Sequence, residues 1–173
     1  MAFLGGTAAR AIPFMDKSYK DAIAEDLTAK PKMDQILAQN PWGVPVTRGT
    51  WGGSGTVTGF ATGLYFLHKA FPEIIGPEYT LRGIDYVLGR HPTSNVSYVS
   101  GVGTQSKLIA YGNNRADYTF IPGAMIPGVV ILEPDFPELK EGWPFLWYEN
   151  EYVVDAGTSF VLAAEAADAE TRE

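Results

Sequence analysis

The sequence predicts an all-α domain, and three features of the chain support that fold class. Apolar residues recur at three- and four-residue spacing in several separate stretches, which is the spacing of one helix face. The links between these stretches are short and carry Pro or Gly, so neighbouring helices are expected to pair. Between residues 90 and 148, β-like patterns are limited to short fragments. We therefore expect about five helices and one long irregular segment within a single domain spanning residues 1–173.

Composition narrows the classes of function. The chain has 173 residues with a net charge of −7, which argues against a nucleic-acid partner because phosphate binding needs a basic face. It contains no cysteine, so thiolate metal sites, cysteine nucleophiles and disulfides are excluded. No apolar run is long enough to cross a bilayer, and two histidines without clustered acids do not predict a metal site. We expect neither a cofactor nor a membrane partner.

The first four helices follow from the apolar spacing and its breaks. Helical material runs from Asp16 to about Asn40 and is divided by Pro31. The expected inward residues of the first part are Tyr19, Ala22, Ile23 and Leu27, and those of the second are Met33, Ile36 and Leu37. A further helix starts at Thr56 and stops at Phe71. Its expected inward residues are Val57, Phe60, Ala61, Leu64, Leu67 and Ala70.

The next helix runs from about Glu78 to Leu88, and Gly89 is a natural C-terminal stop. Its expected inward residues are Leu81, Ile84, Val87 and Leu88.

The last helix follows an aromatic approach that begins at Phe145. Its apolar stripe consists of Val153, Gly157, Phe160 or Val161, and Ala164. Asn150 is a plausible N-cap, which would place Glu151 in the first helical turn. We expect the final residues, 168–173, to be frayed.

Glu151 is the chemically interesting residue of this stretch. The helix dipole favours its charged form, whereas surrounding aromatic side chains and Asp155 favour the neutral form. If burial prevails, Glu151 is a carboxylic acid able to donate a proton, as a general acid must. The residues alone leave a second interpretation open, in which Glu151 is a first-turn acid that only complements the dipole.

Three segments together resemble a known family. They are Asn40-Pro-Trp-Gly-Val-Pro with Trp51-Gly-Gly-Ser, then Leu88-Gly-Arg-His-Pro-Thr-Ser-Asn-Val-Ser-Tyr-Val-Ser-Gly-Val-Gly-Thr104, then Asn150-Glu-Tyr-Val-Val-Asp155. In this order they resemble the C-terminal part of the catalytic domain of glycoside hydrolase family 9, which contains cellulases (inverting endoglucanases) and related β-glycan hydrolases. The resemblance covers roughly residues 35–167.

The resemblance implies a fold and a role for Glu151. The family's domain is an (α/α) toroid of six helical hairpins around a central cleft, so this chain would be the C-terminal portion of such a toroid. The Glu of the family's Asn-Glu pair is the general acid, and that role falls on Glu151. The family's general base lies in an Asp-Ala-Gly-Asp motif far upstream, for which this chain has no counterpart.

Asp155-Ala-Gly157 looks like the family's base motif but does not fit that role. It lies in the wrong segment and lacks the second Asp. An inverting mechanism needs two carboxyl groups about 6.5–9.5 Å apart on opposite faces of the sugar. Two residues four apart on one helix would lie on the same side with Cβ atoms only about 5–6 Å apart. We therefore expect the chain alone to be inactive or nearly so.

Candidate sugar-binding residues come partly from the resemblance and partly from aromatic side chains. The family usually carries His-His-Arg where this chain has Asn113, Asn114 and Arg115, so the sugar preference at that subsite is open. Arg115 could equally brace its loop. Trp51 and Tyr148 are candidate sugar-stacking platforms, although such rings are also ordinary packing residues.

Other chemistry has less support. Ser97, Ser100 and Ser106 lack the Gly-x-Ser-x-Gly setting of a serine nucleophile. The alternative functions are a non-catalytic carbohydrate-binding or assembly module on the same fold, or another toroid enzyme such as an epimerase or unsaturated-uronide hydrolase. A partial toroid would expose helix faces, so self-association or pairing with a missing N-terminal half is expected. The family would suggest a secreted or periplasmic location, but the chain shows no signal peptide.

Overall fold

The computed structural model describes residues 15–29, 43–44, 52–90, 95–106, 120–128 and 151–172. These parts of the chain form four helices and one two-stranded sheet. The helices are α1 (Lys17–Ala29), α2 (Ser54–Ala70), α3 (Glu78–Val87) and α4 (Val154–Arg172). The strands are β1 (Val96–Ser97) and β2 (Gln105–Ser106). The mostly helical fold class is confirmed, and the second short helix predicted around Met33 lies outside the described residues.

Helix α1 begins where Asp16 can cap it. The Asp16 carboxylate accepts hydrogen bonds from the Ser18 hydroxyl at 2.5 Å and the Ser18 backbone N–H at 2.9 Å. The Ser18 hydroxyl, then the backbone bond from Tyr19, lowers the pKa of Asp16 below its ordinary value. Ile23 and Leu27 pack inward as predicted. Tyr19 and Ala22 do not, because they lie on the solvent-facing side of the helix, where Tyr19 is 64% exposed.

Helices α2 and α3 form a closely packed hairpin. Val57, Ala61, Leu64 and Leu67 of α2 are buried as predicted. On α3 the buried face is formed by Tyr79, Thr80, Gly83, Tyr86 and Val87. Leu81, Ile84 and Leu88 were expected inward, but they are only half-buried.

Gly83 explains why the buried face of α3 differs. A Cβ atom at Gly83 would come within 2.6 Å of the Ala61 Cβ, so only glycine lets the two backbones approach this closely. The face of α3 that carries Gly83 therefore packs against α2, rather than the face that carries Leu81 and Leu88. Gly89 ends the helix with a φ of 105°, as the sequence predicted.

Helix α4 packs against both members of this hairpin. It buries Ala156, Ala163, Ala166 and Ala167. The predicted stripe is therefore rotated, and Val161 is 58% exposed. The expected fraying at the end is wrong for residues 168–172, since the helix continues to Arg172 and Asp168 pairs with Arg172 at 2.7 Å. None of the described helices is both long and apolar enough to cross a membrane.

Two apolar clusters result from this packing. The first joins α2, α3 and the start of α4 to the loops that carry β1 and residues 120–128. Its buried members are Val44, Val57, Tyr86, Val87, Tyr98, Val99, Met125, Ile126 and Ala156. The second lies between α1, α2 and the α2–α3 link. Its buried members are Leu64, Leu67, Phe71, Ile75 and Tyr79. The candidate site lies against the first cluster.

Candidate functional site

Glu151 lies in the short segment that leads into α4. The prediction that it occupies the first helical turn is wrong, because α4 begins at Val154 and its first backbone bond runs from Gly157 N–H to the Val153 carbonyl at 3.0 Å. Glu151 is half-buried. A helix dipole acts within about one turn, so Asp155 benefits from it more directly than Glu151 does. Glu151 therefore lies before the first turn of α4, where the effect of the helix dipole is weaker.

Tyr152 supplies the principal polar contact of this segment. Its hydroxyl donates to the Ser100 hydroxyl at 2.9 Å and accepts from the Ile121 backbone N–H at 2.9 Å. Its ring packs against the first apolar cluster, as does Val153. Two consecutive residues after Glu151 are thus held by partners from other parts of the chain. Glu151 itself takes part in a β-bridge, which is incompatible with a helical turn at that residue, so the helix starts later than its sequence pattern indicated.

The two loops that receive Tyr152 are joined to each other. Val99 and Met125 form an antiparallel bridge, and the Ile126 N–H donates to the Tyr98 carbonyl at 2.9 Å. The backbone of Ser100 donates to the Ala124 carbonyl at 3.0 Å. β1 and β2 pair in parallel within the first loop. Residues 95–106 and 120–128 therefore form one hydrogen-bonded unit, called the loop platform below.

Serine hydroxyls hold the loop platform internally. The Ser97 hydroxyl is fully buried and accepts from the Val99 N–H at 3.0 Å. The Ser106 hydroxyl accepts from the Gly101 N–H at 2.8 Å. Ser100 accepts the Tyr152 hydroxyl described above. The three serines, which carry no signature of a nucleophile, thus satisfy backbone groups of the platform and the Tyr152 phenol.

The predicted sugar-binding residues Trp51, Asn113, Asn114, Arg115 and Tyr148 lie outside the described residues, as does Asn150. Their chain neighbours, however, converge. Gly52 approaches the backbone of the platform so closely that a Cβ atom there would lie 2.5 Å from the Pro127 carbonyl oxygen. The segment 107–119 leaves the platform after Ser106 and returns to it at Phe120. Gly52 and Phe120, the described neighbours of two candidate segments, therefore lie at the same platform that bonds to Tyr152.

Asp155 has a structural partner in the described structure. Its Oδ1 accepts from the Ala156 N–H at 2.8 Å, and the residue lies in the first turn of α4. Because Glu151 precedes the helix, the short i,i+4 separation assumed from sequence does not apply to this pair. The objection that remains is that both carboxyls belong to one short segment, whereas the mechanism needs groups on opposite faces of a sugar.

A buried polar pair was missed by sequence reasoning. His68 Nδ1 lies 2.6 Å from the Ile75 carbonyl oxygen, and its Nε2 lies 3.4 Å from Oε2 of Glu170. The Glu170 side chain is only 2% exposed. The sequence did contain a signal that Glu170 faces inward, because it continues the helical spacing of Ala163, Ala166 and Ala167. This pair fastens the end of α4 to α2 and the α2–α3 link.

A groove of about 330 Å³ lies between α2 and α4, apart from the candidate acid. It is lined by Thr62, Tyr65, Phe66, Leu162, Glu165 and Ala166. Glu165 lies roughly 16 Å along the axis from the start of α4, at 1.5 Å per residue. Among the described residues that line the groove, none is a candidate site residue, so we do not assign the groove to the site. The described part of the chain holds no group of three or more His, Asp or Glu side chains suited to a metal ion.

The described helices and loops have the fold of part of a cellulase. Cellulase Cel9M of C. cellulolyticum in complex with cellobiose aligns with 97% of this chain at a TM-score of 0.63 and 17% sequence identity. Another structure of the same cellulase aligns with 96% of the chain at a TM-score of 0.56 and 22% identity. This chain spans only 40% of the length of either cellulase chain. The sequence matches no protein-family model and no curated protein.

Proposed function

We propose that this chain is part of an inverting glycoside hydrolase that acts on a β-linked glucan or a related oligosaccharide. The observation that carries the proposal is the likeness to a cellulase over 97% of the chain. One of the matching structures is a complex with cellobiose, which supports a carbohydrate as the substrate class. The motif resemblance to family 9 supports the same reaction and a position in the C-terminal part of the toroid.

In the proposed mechanism Glu151 is the general acid. Its carboxyl gives a proton to the glycosidic oxygen as the C–O bond breaks, while a carboxylate on the opposite face of the sugar removes a proton from the attacking water. We place that second carboxylate in a segment equivalent to the part of the cellulase that this chain does not span. Trp51, Tyr148, Asn113, Asn114 and Arg115 remain the proposed sugar contacts.

The exposed face of α4 supports the proposal that a further segment completes the toroid. Val154 is 87% exposed, Val161 58% and Leu162 39%, although all three are apolar. Contact of such an apolar stripe with water is unfavourable in free energy, and burial against another surface removes that cost. We propose that an N-terminal half of the toroid, or a second copy of this chain, covers it.

The decisive experiment supplies a nucleophile that needs no base. With azide and cellotetraose, azide would form a bond to the anomeric carbon, the glycosidic C–O bond would break, and Glu151 would protonate the departing oxygen. We expect mass spectrometry to detect the glycosyl azide with the natural sequence and about 100-fold less with Glu151→Gln, since general acid catalysis contributes at least that factor. Equal yields from the two proteins would contradict the role of Glu151.

A non-catalytic carbohydrate-binding module is the second candidate. It is favoured by the 40% coverage, because a complete two-carboxylate site is not expected in so short a part of the cellulase. Cellotetraose binding seen by NMR at the loop platform, without glycosyl azide formation, would support this candidate. Turnover that depends on Glu151 would exclude it.

A further inference from the structure

We propose that Tyr152 is a positioning residue, whose hydroxyl holds the Glu151 backbone against the loop platform. The inference rests on the proposed function, in which Glu151 is the general acid. Tyr152 is adjacent to Glu151 in the chain, so any movement of its backbone moves the acid as well. A general acid must lie within hydrogen-bond reach of the leaving oxygen, which makes its position as important as its protonation.

The hydroxyl has two partners distant in sequence. Ser100 lies 52 residues away from Tyr152 in the chain, and Ile121 lies 31 residues away. The hydroxyl donates its one proton to Ser100 and accepts the Ile121 N–H with a lone pair, so it is satisfied both as a donor and as an acceptor. One side-chain group therefore joins the segment of the acid to both loops of the platform.

The acceptor at Ser100 is a firm attachment point. Ser100 is fully buried, its N–H donates to the Ala124 carbonyl, and its own carbonyl accepts from the Gly123 N–H at 2.8 Å. Each of these bonds crosses from one loop of the platform to the other. A hydrogen bond to such a residue therefore holds Tyr152 in place relative to the whole platform.

The role of the hydroxyl can be separated from the role of the ring. The ring packs against the first apolar cluster, and phenylalanine would preserve that packing. Glu151 itself lies outside the hydrogen-bonded turns of α4, so the helix does not fix its backbone. Without the hydroxyl, Tyr152 would retain its apolar packing but lose its hydrogen bonds to Ser100 and Ile121. Hydrogen bonds are directional and hydrophobic contacts are not, so orientation is what the hydroxyl supplies.

The test compares Tyr152→Phe with the natural sequence by NMR, a measurement that requires no turnover. We expect amide hydrogen exchange at Ile121 to accelerate at least about 10-fold, and the backbone order parameter of Glu151 to fall from a rigid value near 0.85 toward 0.6. Amides in the middle of α2 should be unchanged. The matched control is Tyr19→Phe, which removes a phenol hydroxyl from an exposed tyrosine of α1. An unchanged Glu151 order parameter in Tyr152→Phe would overturn the proposal.

Turnover provides a second readout. In the azide assay, Tyr152→Phe should lower the rate of glycosyl azide formation about 10-fold while leaving the cellotetraose concentration for half-saturation unchanged. A purely structural role would change both quantities or neither, and either result would overturn the proposal. If the natural sequence forms no glycosyl azide, the proposed function fails by itself, and the NMR comparison still decides whether Tyr152 positions Glu151.

Discussion

The helical hairpin and the loop platform are held together in different ways. Between α2 and α3, close approach of the two backbones decides the packing: Gly83 fits against Ala61, and the hydroxyl bond from Thr80 to the Ala61 carbonyl is long, at 3.4 Å. In the platform, hydroxyl groups of Ser97, Ser100 and Tyr152 satisfy backbone and side-chain partners. The comparison teaches that the hairpin should be sensitive to added volume, whereas the platform should be sensitive to the loss of single polar atoms.

Gly83→Val should have the largest effect on stability. The added Cβ would lie 2.6 Å from the Ala61 Cβ, and overpacking of this kind costs about 1–3 kcal/mol, with the upper end expected at a rigid helix contact. Urea denaturation followed by circular dichroism measures the change in the free energy of unfolding.

Gly63→Ala is the matched control for Gly83→Val. Gly63 lies in the same hairpin, and no atom lies within 4 Å of the position its Cβ would take. Replacement of a helical glycine by alanine there should stabilise the protein by about 0.5–1 kcal/mol. Equal effects at the two glycines would show that the hairpin is not limited by volume.

Ser97→Ala should have an intermediate effect, on the platform. The substitution leaves the buried Val99 N–H without its acceptor, which costs about 1–3 kcal/mol. Hydrogen exchange at Val99 should accelerate more than exchange at Leu64 in α2. Ser18→Ala is a suitable control, because that hydroxyl is exposed. A uniform acceleration over the whole chain would contradict the separation of hairpin and platform.

Asp16→Ala should have the smallest effect and a defined pH dependence. The pKa of Asp16 is lowered in the folded state, so its carboxylate contributes stability above the ordinary aspartate pKa of about 3.9, and that contribution is lost as the pH falls below it. The melting temperatures of the natural sequence and Asp16→Ala should differ slightly at pH 7 and converge near pH 2. A difference that persists in acid would show that the carboxylate is not the source.

The sequence allowed three of the four described helices to be located closely, because their apolar spacing and their terminating residues agree. α2 ends at Ala70, before Phe71-Pro72, and α3 ends at Val87, shortly before Gly89, for local reasons that are visible in the sequence. Which face of α3 turns inward depended on the match between Gly83 and Ala61, two residues from different helices. Local periodicity contains no information on such a match.

The surroundings of Glu151 could be predicted only in part. The aromatic approach and the following helix were visible in the sequence, but the start of α4 was misplaced by three residues. The reason is that Tyr152 bonds to Ser100 and Ile121, and contacts over 31 and 52 residues leave no periodic trace. The role of Glu151 as an acid, like the completed toroid, stays a prediction.

The late start of α4 has a practical consequence for anyone who works with this protein. Residues 151–153 lie outside the helix, so their orientation contributes almost nothing to the far-ultraviolet spectrum that reports helical content. A preparation can display full ellipticity while the Tyr152 hydroxyl has lost its partners. Quality control for any functional assay should therefore follow the Ile121 amide resonance, which reports directly on the bond beside the candidate acid.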